Sequence, residues 1–146
     1  TLVNLGGYPM SNEVELNQVL ALKAQDEDLL FLNSIVNRTG CGIGITLFVK
    51  GNLITGSLIA GKKYYQFVGD NLKSIGETGV ALAQYFENKG AKQYTSDEPG
   101  FEYPNNFLHL ENVKIRNDGG VMATLNNAML RVKIEEVEGH IMGNIS

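Results

Sequence analysis

The residues whose types and spacing could do chemistry are a glycine–lysine run, one cysteine, two histidines and two groups of carboxylates. Gly56-Ser-Leu-Ile-Ala-Gly61-Lys62-Lys63 nearly matches the phosphate-binding pattern G-x-x-x-x-G-K-[ST]. That loop works as a flexible nest of backbone N–H groups after a strand, with a hydroxyl holding magnesium. Here residues 57–60 are largely apolar and strand-like, and Lys63 stands where the hydroxyl belongs. The run therefore reads as a bent strand ending in a turn. Gly40-Cys41-Gly42-Ile43-Gly44 has the glycine density of a dinucleotide fingerprint, but it leads into a strand whereas the fingerprint must open a helix. Its glycines let the chain leave a helix and start a sheet.

Cys41 would serve as a nucleophile only beside a base or a cation. His109 and His140 are the only histidines, and neither has a telling sequence context, so Cys41 reads as a small core or loop residue. His109 lies between Leu108 and Leu110 on the strand face those leucines avoid, so a surface or interface histidine is expected. One cysteine and two distant histidines make no zinc ligand set. Asp97, Glu98 and Glu102 share a proline-rich loop, and Glu135, Glu136 and Glu138 lie near a hairpin. Neither group offers an acid and a base in opposed environments, so both read as solvated charge. No catalytic, cofactor-binding or metal residue is assigned, no cofactor is expected, and the chain is expected not to be an enzyme. A different kind of candidate is aromatic: Tyr64, Tyr65, Phe67, Tyr85 and Phe86 concentrate ring surface in one region. Such rings anchor partners, or else pack on the sheet.

The elements that must position these residues follow from periodicity. Residues 1–10 hold Gly6, Gly7 and Pro9 and read as an extended lead-in. Residues 14–24 alternate apolar side chains at period two, yet their Glu, Leu, Gln, Lys and Ala content, with the capping pair Asn12 and Glu15, favours a helix. Asp26, Glu27 and Asp28 open a second helix with an apolar stripe of Leu29, Leu32, Ile35 and Val36, and Gly40 stops it. Period-two alternation over residues 43–50, the turn Gly51-Asn52 and a return over 53–60 predict a hairpin, with Gly56 permitting a bend or bulge. Two helices are expected at 62–72 and 78–88, the second with Val80, Leu82, Ala83 and Phe86 as its apolar face and Gly90 as its end. Residues 90–106 read as a loop. Strands are expected at 107–115, 129–137 and 140–145, with Asn117-Asp118-Gly119-Gly120 as a turn.

Composition bounds the rest. The chain has 146 residues, enough for one domain with a real core, and a net charge of −4. That charge argues against a nucleic-acid footprint, which needs clustered Lys and Arg. A single cysteine excludes an internal disulfide and suits a reducing cytoplasm. No apolar run approaches the ~20 residues that span a bilayer, and residues 1–10 lack the charge pattern of a signal peptide, so cytoplasmic localisation without a membrane is expected.

Two resemblances emerge. The strand order and glycine placement are similar to an Sm-like (LSm) small β-barrel: Gly51, Gly56 and Leu58 match its first motif, and Gly139, Met142 and Ile145 its second. The motif's RNA-contacting Asp and Arg are replaced by Lys62 and Glu138, so the resemblance implies the barrel and its habit of ring formation by edge-strand pairing rather than a uridine pocket. From about Asp28 to Ser146 the chain also resembles the gas vesicle accessory protein GvpU family, through ITLFVKGNLITGSLI at 45–59, Tyr64-Tyr65, FLHLENVKI at 107–115 and RVKIEEVEGHIMGNI at 131–145. Residues 1–25 have no counterpart there, the loop 90–106 differs, and the family's basic, Ser-rich tail is missing.

Together these readings predict one α+β domain over 1–146. Residues 1–25 form an extension, and 26–146 form a five-stranded, strongly bent antiparallel Sm-like or SH3-like barrel with a helical insertion at about 62–90. The family resemblance implies a non-catalytic, self-associating module in gas vesicle assembly or clustering. Its expected partners are itself and gas vesicle shell proteins, through Tyr64, Tyr65, Phe67, Tyr85 and Phe86, and a homo-oligomer is expected. An Sm-like RNA-binding protein is the alternative.

Overall fold

The computed structural model describes residues 26–95, 98–117 and 119–144. The helix expected at 14–24, Asp97, Asp118 and Ile145 lie outside the described residues. Helix α1 spans Glu27–Thr39. Its start is set by Asp26, whose carboxylate accepts from the backbone N–H groups of Asp28 at 2.8 Å and Leu29 at 3.2 Å. Its end is set by Gly40, which adopts φ +73° and returns its N–H to Val36 O. Replacing Asp26 by alanine should cost about 1 kcal/mol in urea denaturation, and Asp26→Ser should recover most of it, because the loss is that of an N-cap oxygen. The buried positions of α1 are Leu29, Asn33, Val36 and Asn37, so the core-facing stripe is rotated from the expected one and contains two asparagines.

Strands β1 (Ile43–Val49) and β2 (Asn52–Ile59) form the expected hairpin, Leu47 opposite Ile54. β2 pairs in turn with β3 (Phe107–Arg116), and the register shifts between Thr55 and Ser57, at Gly56. A Cβ on Gly56 would lie 2.8 Å from Glu111 O, and beside it Asn112 takes φ +54°, so the anticipated bulge sits where two backbones approach closely.

The sheet departs from expectation in strand number and closure. Among the described residues it has six antiparallel strands, in the order β4-β3-β2-β1-β6, with β5 also on β3. β3 is ten residues long and divides its outer edge: Lys114 to Arg116 pair with β4 (Met122–Thr124), and Phe107 to Leu110 pair with β5 (Leu130–Lys133). β6 (Gly139–Met142) adds to β1 at the opposite margin, and no ladder joins the two margins. The sheet is therefore open, and the expected five-stranded barrel is corrected to a six-stranded open sheet. β4 escaped periodicity because three residues give no repeat. The strand expected at 129–137 breaks into a 3-10 turn at Ile134–Glu136.

One sheet face carries Ile45, Leu47, Leu58, Leu108, Leu110 and Val132, all buried against Leu29 and Val36 of α1. Helices α2 (Gly61–Lys73) and α3 (Glu77–Tyr94) pack against each other and cover the other face near β3, where Lys63 pairs with Glu111 at 2.8 Å. α3 runs past Gly90, which is buried inside it. The anticipated stop there is wrong because this glycine permits helix approach: a Cβ on it would sit 2.6 Å from Tyr65 Cβ. The apolar face expected for α3 is half right: Ala83 is buried and Phe86 half-buried. Gly79, Ala83, Gly90 and Tyr94 are buried, whereas Val80 and Leu82 are 44% and 51% exposed.

Candidate interaction surface and the buried histidine

The five aromatics singled out above divide. Tyr65 on α2 is 2% exposed; Tyr64, Phe67 and Phe86 are half-buried; Tyr85 on α3 is 62% exposed. Tyr85 meets Phe86 edge-to-face at 5.0 Å, so α3 presents an aromatic pair beside exposed Leu82; Val80 elsewhere on the helix and Ile75 just before it are also exposed. A second exposed apolar group lies at the sheet margin, where Ile141 and Met142 of β6 and Phe48 of β1 face solvent. β6 has one strand partner, β1, so among the described residues its outer edge is unpaired.

Tyr65 belongs to a different structure. His109 and Arg131 are directly opposite in the β3–β5 ladder, on the face away from α1. His109 is fully buried, not at the surface as its alternation had suggested, because α2 and α3 roof that face. Tyr64 lies over its ring with centroids 4.6 Å apart, and Tyr94 meets it edge-on at 5.7 Å. Arg131 Nη1 donates to Tyr65 Oη at 2.7 Å and lies 3.0 Å from His109 Nε2. A guanidinium has no acceptor, so Nε2 accepts and the imidazole is neutral with its proton on Nδ1. Burial first, then the charges of Arg131 and Lys89, push the His109 pKa down from 6.5 to about 3. Burial likewise raises the Tyr94 and Tyr64 hydroxyls, against the pull of Arg131. The Arg131 guanidinium stacks 3.7 Å from the Phe107 ring centroid. The cluster is a structural lock tying α2 to β3 and β5.

The other sequence candidates are dispersed. The glycine–lysine run is strand β2 followed directly by α2, with Ala60 alone between them, so the phosphate-cradling loop does not exist. The first N–H of α2, on Gly61, is already taken by Asn37 Oδ1 at 2.8 Å. Cys41 is exposed and accepts from the Thr39 hydroxyl at 3.0 Å. Glu98, Glu102, Glu135 and Glu138 are exposed, and Glu138 accepts from Lys50 N while Glu136 lies 3.8 Å from Lys50 Nζ. His140 Nδ1 stands 3.8 Å from Asp26 Oδ2, and with Asp28 these groups lie within 4.8 Å of one another. The other oxygen of Asp26 is already committed to capping α1.

Sequence reasoning missed the polar face of α1. Leu30, Asn33, Ser34, Asn37 and Arg38 fall at helical spacing and line a cleft of about 240 Å³ whose far wall is residues 102–105. The signal available was two asparagines four apart beside an apolar stripe. Among the described residues no helix is long and apolar enough to cross a membrane. No curated protein matches this sequence. A family model described as gas vesicle protein GvpU-like matches residues 26–145.

Proposed function

Because the chain belongs to the GvpU-like family of gas vesicle proteins, we propose that it is a non-catalytic accessory module that self-associates and contacts another protein's surface in gas vesicle assembly or clustering. The carrying observation is the extent of the match, which spans the whole described fold rather than one motif. Two exposed apolar surfaces support the reading. The β6 edge, unpaired among the described residues and bearing Ile141 and Met142, offers main-chain pairing to a second copy. The solvent face of α3 offers Tyr85 as an anchor with Leu82 and Phe86 beside it. Tyr64 and Phe67, half-buried on α2, are the lesser candidates, while Tyr65 holds the helix in place from inside. Its place is the cytoplasm, where the reducing environment keeps the exposed Cys41 a free thiol. No observation favours the RNA-binding alternative.

Size-exclusion chromatography with light scattering tests this. The full chain should form a defined oligomer whose mass rises with concentration. Tyr85→Ala should weaken association at least tenfold, which is about 1.4 kcal/mol, while leaving the melting temperature within a few degrees, since Tyr85 is exposed. A strict monomer at millimolar concentration would overturn the proposal.

A further inference from the structure

We propose that the cleft between α1 and residues 102–105 is a binding site for an amide group: a carboxamide or a peptide unit. Its lining includes Asn33, 1% exposed, and Asn37, 9% exposed. Each has one end committed to the backbone, which fixes its orientation. Asn33 Nδ2 donates to Phe107 O at 3.1 Å, so that nitrogen is the amine end. Asn37 Oδ1 accepts from Gly61 N, so that oxygen is the carbonyl end. The opposite ends remain: Asn33 Oδ1, an acceptor, and Asn37 Nδ2, a donor, both buried and both without a hydrogen-bond partner among the described residues.

Buried polar atoms are nearly always satisfied, so this pair calls for a complementary group. The complement of one acceptor and one donor, one helical turn apart, is a group carrying an N–H and a C=O. An amide has both in a fixed plane; a carboxylate or an ammonium would satisfy one end and leave the other unpaired. The space of about 240 Å³ exceeds what one bridging water fills, at ~30 Å³ each. It is below the ~300–1,000 Å³ of drug-sized sites, which suits a side-chain amide or a short stretch of peptide. The rim is built for the same task. Arg38 crosses it, donating to Phe101 O at 3.2 Å with its guanidinium 5.2 Å from the Tyr103 ring centroid, and it keeps further N–H donors for a ligand carbonyl.

The test follows the Asn33 and Asn37 side-chain NH₂ signals by ¹⁵N NMR on the full chain. Propionamide should shift both, and propionate, which can answer only the Asn37 donor, should leave the Asn33 signal in place and bind more weakly. Of two further probes, tighter binding of a capped triglycine peptide than of L-glutamine would assign the site to a peptide chain, and the reverse to a free carboxamide metabolite; either result supports an amide site. Asn37→Asp keeps the oxygen that holds Gly61 N–H and replaces the free donor with an acceptor, so it should stay folded and lose at least about tenfold in amide affinity. Ser34→Phe, which fills the cleft from its wall without touching either asparagine's backbone bond, should abolish the shifts. Equal shifts with propionate, no shift with any amide probe, or full amide binding by both variants would overturn the assignment.

Discussion

At pH 4 the folded state should be about 3 kcal/mol less stable than at pH 7 through His109 alone. Its pKa falls from 6.5 in the unfolded chain to about 3 in the fold, because burial, Arg131 and Lys89 all disfavour the imidazolium. Between those values the unfolded chain has taken up a proton and the folded chain has not. The stabilisation is therefore complete above pH ~6.5 and is lost as the pH falls toward ~3, at about 1.4 kcal/mol per pH unit. Other groups titrate in the same range, so the reading is a difference. Urea denaturation of the protein and of His109→Gln at pH 7, 5.5 and 4 should give curves whose separation shrinks by one proton's slope. Glutamine keeps an acceptor for Arg131 and removes the titration. Parallel curves would mean that His109 takes up its proton at the same pH in the fold as in the unfolded chain, and then Arg131 Nη1 could not hold Nε2 as its acceptor through that range.

Gly90→Ala should destabilise the protein by about 2 kcal/mol, against the direction of helix propensity. In an ordinary helix interior this exchange gains about 1 kcal/mol. Here the new methyl would sit 2.6 Å from Tyr65 Cβ, and neither atom can swing away because both are fixed to their helix backbones. α2 and α3 must separate, an overpacking cost of ~1–3 kcal/mol before further losses. Those losses are specific. Tyr65 carries the hydroxyl that accepts from Arg131, so moving it opens the roof over His109. Gly90→Ala should thus also flatten the acid slope as water reaches the imidazole. Thermal and urea denaturation at pH 7 and pH 4 read both effects. A stabilisation of about 1 kcal/mol, with the slope unchanged, would show that the helices do not meet at this glycine.

Much of the chain is legible in the order of its residues. Asp26 and Gly40 bracketed α1, alternation gave β1, β2 and β3, Gly56 marked the bulge, and three short blocks pointed to the family that matches 26–145. Caps, turns and side-chain period involve neighbours within a few residues, so residue order alone carries them. Where α3 ends, whether His109 is wet, how β3 divides its edge and which face of α1 is polar all depended on distant partners. Gly90 reads as a helix stop until Tyr65 is placed against it, and His109 reads as exposed until Tyr64 and Tyr94 close over it. Tyr65 and Arg131, 66 positions apart, share a hydrogen bond that no local pattern announces. The sequence by itself thus determined which elements form and the family they belong to. Only the tertiary structure decided which faces are covered, because burial is a property of what packs on a residue and not of the residue or its neighbours in the chain.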